Sequence, residues 1–562
     1  NNRSDIVRIG ACLLTEGTEM PWTQIYSPVA DSPAVSALIA AIPLAVIFVC
    51  LALFKMKAHR AGLLALASAL GIAITVWDMP AGLAGLAALQ GAAFGFFPVS
   101  CIVAATILLY NITVQSGHFE VLRASLAGLT TDRRLQALLI AFCFGAFIEG
   151  SAGFGTPVAI AGATLVGLGF RPFYAAGVCL IANTAPVAFG AIGIPLVSLA
   201  GVMGYDDTGL MKLSTMVGRQ LPFISVFIPC YIVFVMSGWR RTREVFPAVL
   251  VCGATFALFQ WAAASYLGPY LPDIIASLAS IVALVALLRV WRPKSVWTFE
   301  HDSQSDAEER HEYSAREIAL AWSPYLALTL LVLVWGLPGV KGMLDRMTLE
   351  ITVPLLHNGI LKTVGGAPLP IPAVFRLNLL SAPATAVLIA SVISAGICGI
   401  GCSGFFRAAG KTMHDLRFPF LTISAVLALA YVMNAAGMTA ALGLVFTRTG
   451  MLFPFLAPFL GWLGVFLTGS DTSSNVLFGG MQKIAAEQLG IDPLLTGAAN
   501  SSGGVMGKMI SPQSIAVATA ATGLVGEEGN LFLFTLRHSL FLTTLIGALV
   551  FLQAYVFPGM IP

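Results

Sequence analysis

Charge is what this sequence has least of: Asp, Glu, Lys and Arg together make up 10% of its 562 residues, while 57% are hydrophobic. A soluble domain carries about 25% charged residues, so an ordinary water-facing surface is excluded. The charges that remain nearly cancel, at a formal +3, which leaves no basic footprint for a nucleic-acid partner. Histidine is also sparse. The seven residues (59, 118, 301, 311, 357, 414 and 538) fall in loops or near helix ends, which argues against haem-ligand pairs inside helices. The nine cysteines are scattered, most of them in apolar runs, and read as small packing residues. Cys398 and Cys402 are expected on one helix face, but no His or third Cys joins them to make a metal site. "GSAGFG" is followed by no Gly-Lys-Ser/Thr and preceded by no strand, so it is no phosphate loop. "TGSD" lacks the second intramembrane aspartate a protease would need. No cofactor, metal or enzymatic activity is implied. The opening "NNRSDIVRIGACLLTEGTE" lacks a signal peptide's apolar core and reads as an unstructured extension, with Met20 a plausible start.

What is present is a series of apolar runs of about 20 residues, the length that crosses a bilayer, recurring from Val35 to Phe557. With no water to satisfy the backbone and no alternating strand pattern, these runs must be helices. Lys and Arg set the orientation. If "KMKAHR" at 55–60 faces the cytoplasm, eighteen of the thirty lie inside and nine outside, which puts both termini outside.

An internal repeat organises the chain. "GAFIEGS" at 145–151 matches "GVFLTGS" at 464–470, and "LGFRP" at 168–172 matches "LGIDP" at 489–493. Asn183 and Pro195 correspond to Asn500 and Pro512 with the same spacing of twelve, and Tyr110 and Gly117 to Tyr431 and Gly437. Seven crossings precede the second copy, so it enters from the opposite side, as in many secondary transporters. The expected layout is an outside extension (1–33), a first repeat (34–244) with a hairpin at 135–169, and two linker helices (245–291). A cytoplasmic linker (292–317) and a second repeat (318–562) with a hairpin at 452–489 follow. The fold class is an all-α polytopic membrane protein of about twelve crossings plus two re-entrant hairpins in two inverted-topology repeats.

Leu135–Ile148 and Pro157–Gly169 are each too short to span, and Arg133, Arg134 and Arg171 hold their outer ends on one side. A hairpin turning at "EGSAGFGT" therefore follows, with tips expected near Ser151–Phe154 and, in the second copy, Asp471–Ser473. The next helix of each copy should break at "NTAP" (183–186) and "NSSGG" (500–504). Broken helices expose N–H groups and a positive dipole end to an anion. The polar groups gathered at these breaks are Ser151, Thr156, Asn183, Thr184, Ser470, Thr472, Ser473, Ser474, Asn475, Asn500, Ser501 and Ser502. Helix capping is their bland alternative role. Glu149, Asp471 and Lys508 are the costly members, because charge at mid-bilayer is expensive and usually marks an ion or proton path. A structural Lys508–Asp471 ion pair is the competing reading.

At "GAFIEGSAGFGTPVAI", "YAAGVCLIANTAPVAFGAIGIP", "GWLGVFLTGSDTSSN" and "GGVMGKMISPQSIA" the sequence resembles the lactate permease family, and the resemblance runs from Pro21 onward. It implies a bacterial inner-membrane symporter that takes up lactate or glycolate with protons. Sodium coupling is the alternative within that class, and a membrane-anchor subunit of an oxidoreductase the alternative outside it. The residues above would then bind substrate, with Lys508 as the cation, while Glu149 or, second, Asp471 carries the proton. Lipid and the small acid are the implied partners; the oligomeric state is left open.

Overall fold

In a computed structural model of the chain the described residues are 21–562, apart from 53, 55, 154, 300–312, 365–366 and 525. The first twenty residues of the proposed N-terminal extension, the middle of the 292–317 linker and Phe154 lie outside them. Among the described residues eleven helices are long and apolar enough to cross a membrane, or twelve if the bent pair Pro172–Ala182 with Val187–Met203 counts as one. Large side chains such as Leu38, Val282, Leu330 and Leu533 stand exposed on the outer helices, as lipid-facing residues must.

The first hairpin is the opposite case. Its first limb, Arg133–Ser151, is buried from Arg134 to its end. At 19 residues it is longer than the expected 13–14, because the helix runs on through Glu149 instead of ending before it. Gly153 and Gly155 then take φ of +62° and +80°, a left-handed geometry that glycine adopts without strain. The second limb, Thr156–Gly167, returns. The second hairpin has limbs Phe453–Thr468 and Asp471–Leu489, with Gly469 at φ +70° between them. Each hairpin packs on the broken helix of the other half: Thr156–Gly167 against Pro512–Thr522, and Asp471–Leu489 against Gly190–Met203. The linker helices Phe246–Tyr266 and Pro272–Val290 pack on each other, and the second also on the first hairpin.

Two pairs of positions matched by the repeat share backbone geometry, although Gly150 is helical where its counterpart Gly469 is left-handed. Gly117 and Gly437, which follow the helices Cys101–Gln115 and Cys402–Ala436, are both left-handed, at +77° and +86°. Gly169 and Gly490, in the "LGFRP" and "LGIDP" copies, are also left-handed.

The break after Asn183 is where the sequence places it. Helix Pro172–Ala182 ends, and the chain bends by 64° before Gly190–Met203 continues. The second break is not. Pro493–Lys508 is helical straight through "NSSGG", and the interruption comes at Met509–Ser511, where Ser511 caps Pro512–Thr522. The glycines there serve packing. A Cβ on Gly503 would strike the Pro458 backbone, one on Gly507 the Trp462 carbonyl, and one on Gly461 the Asn500 carbonyl. Small residues allow membrane helices this close approach. Gly461→Val should therefore lose folded protein, overpacking costing about 1–3 kcal/mol or more. Gly71→Ala, where a Cβ meets open space, should leave the melting temperature unchanged or raised; equal melting of the two variants would refute this packing.

Three further points depart from the sequence reading. Cys398 ends one helix and Cys402 begins the next, so they do not share a helix face. Leu337–Arg376, whose Pro and Gly content predicts a solvated outside connection, is structured instead: Pro338–Asp345 is helical, and Ile360–Val364 pairs with Trp22–Thr23 and Ala367–Pro370. Arg134 is more than a topology charge. Fully buried, it donates to Asp132 and Glu244 at 2.7 Å each and to the Arg241 and Ser295 carbonyls at 2.8 Å. This pins the foot of the first hairpin, and the guanidinium holds the Glu244 carboxyl below the usual carboxylate range.

Candidate functional site

The tips of the two hairpins and the two interrupted helices meet in the interior. On the first side, Glu149 is 3% exposed and its Oε2 has no hydrogen-bond partner. Its Oε1 lies against Gly190, where a Cβ would come within 2.7 Å. The Asn183 amide is equally buried, faces Glu149 without closing a hydrogen bond, and leaves both its polar atoms unpartnered. Just beyond, Ala191, Ile192 and Gly193 take left-handed φ of 45°, 56° and 71°. For alanine and a β-branched isoleucine that is strained backbone, the kind that persists at functional sites. The Gly153 tip packs onto Ala191 here.

On the second side, Asp471 sits in the first turn of its limb, buried, with Ser470 capping the helix through the Ser473 N–H at 3.2 Å. Asp471 Oδ2 accepts from Ser501 Oγ at 2.7 Å and Asn475 Nδ2 at 3.1 Å. Its Oδ1 has no partner and rests against Gly504. Asn475 also donates to the Pro195 carbonyl of the first half at 3.2 Å, and Asn500 Nδ2 to Asn475 Oδ1 at 2.9 Å. Gln482 extends the chain to Asn500 Oδ1 at 3.2 Å.

Lys508 joins the two sides. It ends helix Pro493–Lys508, where a cation suits the dipole, and is 8% exposed. Its Nζ donates to the Gly469 carbonyl at 3.1 Å. It lies within electrostatic reach of both Glu149 and Asp471 yet forms an ion pair with neither. The direct Lys508–Asp471 bridge is thus not made, and two ammonium N–H groups are left for another acceptor.

The structure therefore brings Glu149, Asn183, Asp471, Asn475, Asn500, Ser501 and Lys508 into one polar interior. Other expected members have local duties. Thr184 Oγ1 bonds the Ile181 carbonyl at 2.7 Å, and Ser151 Oγ the Ile148 carbonyl at 3.3 Å. Ser474 bonds the Gly461 carbonyl at 2.9 Å, and Ser502 bonds Gln220 at 2.7 Å. Thr156, Thr472 and Ser473 are only half-buried. Two buried groups escaped the sequence reading. Asp273, 1% exposed, and Gln260, fully buried, come from the linker helices. Asp273 is the lone charged residue between Glu244 and Arg289, the signal that could have found it.

Comparison with known proteins adds the following. Residues 36–557 match the family described as L-lactate permease. The L-lactate permease of Bacillus subtilis (strain 168) is 48% identical, over 97% of this chain and all of that protein. The glycolate permease GlcA of Escherichia coli (strain K12) is 47% identical, over 96% of this chain and 99% of that protein. Among solved structures, the Alcanivorax borkumensis YdaH transporter covers 82% of this chain and 86% of its own, at 18% identity and a TM-score of 0.43.

Proposed function

The chain belongs to the L-lactate permease family, and from that premise we propose that it imports lactate, and with it glycolate, by proton symport. The observation that carries this reading is the pair of buried carboxyls, Glu149 and Asp471, both within electrostatic reach of one ammonium, Lys508. Were all three charged, two carboxylates would face a single cation. A third anion would then meet strong repulsion, since like charges about 4 Å apart repel by roughly 4 kcal/mol at an effective dielectric of about 20. A monocarboxylate is accommodated when protons enter with it, so substrate and proton assist each other's binding. That is a reciprocal coupling free energy between two sites.

In this reading Lys508 and the Asn and Ser groups of the second hairpin hold the carboxylate, Asn183 meets the hydroxyl, and Glu149 takes the proton. The two repeats lie with opposite topology, and each hairpin grips the broken helix of its counterpart, so a shared motion can expose the site to either face. The bias of basic residues toward the segments at 55–60, 239–244 and 403–417 supports an orientation with both termini outside, in what the family makes a bacterial inner membrane.

The test is uptake of labelled L-lactate, D-lactate and glycolate into proteoliposomes under a proton or a sodium gradient imposed separately. A proton gradient alone should drive accumulation. Accumulation under sodium alone would overturn proton coupling, and no uptake of any of the three would overturn the substrate class.

A further inference from the structure

We propose that Asp273 is a second proton-carrying residue, placed between an outer-facing cavity and Glu149, and that it loads Glu149 with the proton that accompanies the substrate. The inference rests on the symport reading above and deepens it.

Asp273 lies in the first turn of the linker helix Pro272–Val290. A carboxylate is favoured there by the helix dipole, which explains the position but not the burial. The side chain is 1% exposed; Oδ1 receives one long hydrogen bond, from Gln260 Nε2 at 3.4 Å, and Oδ2 has no partner. A carboxylate serving only as a cap would be solvated or fully bonded, because a bare buried oxygen is costly. Its position is tied to Glu149 through glycine. A Cβ on Gly150 would fall 2.7 Å from Asp273 Cβ, so Asp273 presses against the backbone of the residue that follows Glu149. The two carboxyls each keep one unpartnered oxygen, Asp273 Oδ2 and Glu149 Oε2. Gln260 fixes the remaining geometry: it donates to the Ala185 carbonyl, within the break of the first broken helix, at 3.0 Å and accepts from Ser225 Oγ at 2.7 Å.

The other side of Asp273 leads outward. Tyr270, three residues earlier, lines a cavity of about 510 Å³ together with Asp206, Asp207, Arg376 and Asn434. The carbonyl of Pro269, on the same turn, abuts Gly193 in the strained segment. Cavity, Tyr270 turn, Asp273 and Glu149 thus follow one another from the outer face to the hairpin tip. The remaining titratable groups on elements packed against this helix are Cys143 and Cys252, which meet Ser280 two turns further on, and Tyr266, exposed at the end of Phe246–Tyr266; Lys508 lies within electrostatic reach of Glu149.

The step is a simple proton transfer. A proton from outside water forms an O–H bond on the Asp273 carboxylate. That bond breaks as a new one forms on the Glu149 carboxylate, returning Asp273 to its anion; no electrons and no other reactant are involved.

The test uses the full-length chain in proteoliposomes with labelled lactate, comparing wild type, Asp273→Asn and Asp273→Glu. Two readings are taken for each: accumulation driven by a proton gradient across a range of external pH, and lactate–lactate exchange without a gradient. Asp273→Asn should lower accumulation about tenfold, within the usual range of coupling between sites, and alter its dependence on external pH, while exchange persists. Asp273→Glu should recover part of the accumulation. Wild-type accumulation with an unchanged pH profile in Asp273→Asn overturns the proposal, as does equal loss of exchange and accumulation in both variants, which marks a structural residue. A wild type that fails to concentrate lactate under a proton gradient overturns the symport reading itself, before any variant is compared.

Discussion

Lys508→Met should abolish lactate binding. The ammonium is the only lysine head group buried among the described residues, and it makes one hydrogen bond, to the Gly469 carbonyl. It is also the single cation within reach of Glu149 and Asp471. Methionine fills a similar volume but leaves those carboxyls, and any incoming carboxylate, with no opposite charge. Removing one partner of a buried charge pair typically costs about 3–5 kcal/mol, a hundred- to several-thousand-fold weakening of Kd at roughly 1.4 kcal/mol per tenfold. Lys508→Arg should not restore full affinity. The guanidinium is a broad planar fork, and the Gln513 side chain already packs against Gly469, whose carbonyl the ammonium meets. Equilibrium binding of labelled lactate to purified protein measures this, with melting temperature as the control for folding. Wild-type affinity in Lys508→Met would remove the residue from the site.

Glu149→Gln should uncouple transport from the proton gradient while substrate exchange survives. Glutamine keeps the shape and the contact with Gly190 but cannot carry a proton. Glu149 is better placed for that work than Asp471, because the two carboxyls are held differently. Each carboxyl has one bare oxygen, but Asp471 Oδ2 accepts hydrogen bonds from Ser501 and Asn475 that tie it into the second hairpin, whereas the Asn183 amide facing Glu149 is itself unpartnered. Asp471→Asn should accordingly disturb binding and exchange together, since it disrupts the chain through Asn475 to the Pro195 carbonyl. In Glu149→Gln, proton-driven accumulation should fall to equilibration, with exchange within about threefold of wild type, less than 1 kcal/mol. Lactate concentrated against its gradient by that variant, with only a proton gradient supplied, would exclude Glu149 as the coupling residue.

Much of the buried polar interior is legible in the sequence. Glu149, Asp471 and Lys508 stood out because charge in apolar sequence is costly enough to demand a reason, and the first break stood out because "NTAP" ends a helix with a proline. The second break misled for a physical reason. Glycine permits a turn and permits close helix packing equally well, so "NSSGG" reads as an interruption until its neighbour is known. The neighbour is Phe453–Thr468, whose backbone needs the room at Gly503 and Gly507. Ser502 was assigned to the site by its company in sequence, yet it bonds Gln220 while the adjacent Ser501 reaches Asp471. Adjacent helical residues point about 100° apart, and only the packing says which of them faces the ligand.

The sequence by itself determined that this chain spans a membrane as helices, that its two halves repeat, and which charges sit where charge is expensive. Those properties follow from local composition and spacing, which lipid reads directly. Only the tertiary structure decided that Asp273 comes up against the hairpin tip beside Glu149. The two are 124 positions apart, and their meeting depends on a linker helix packing against a hairpin tip through the bare backbone of Gly150. No local pattern encodes that contact, because it is made by the shapes of two elements and not by the preferences of either.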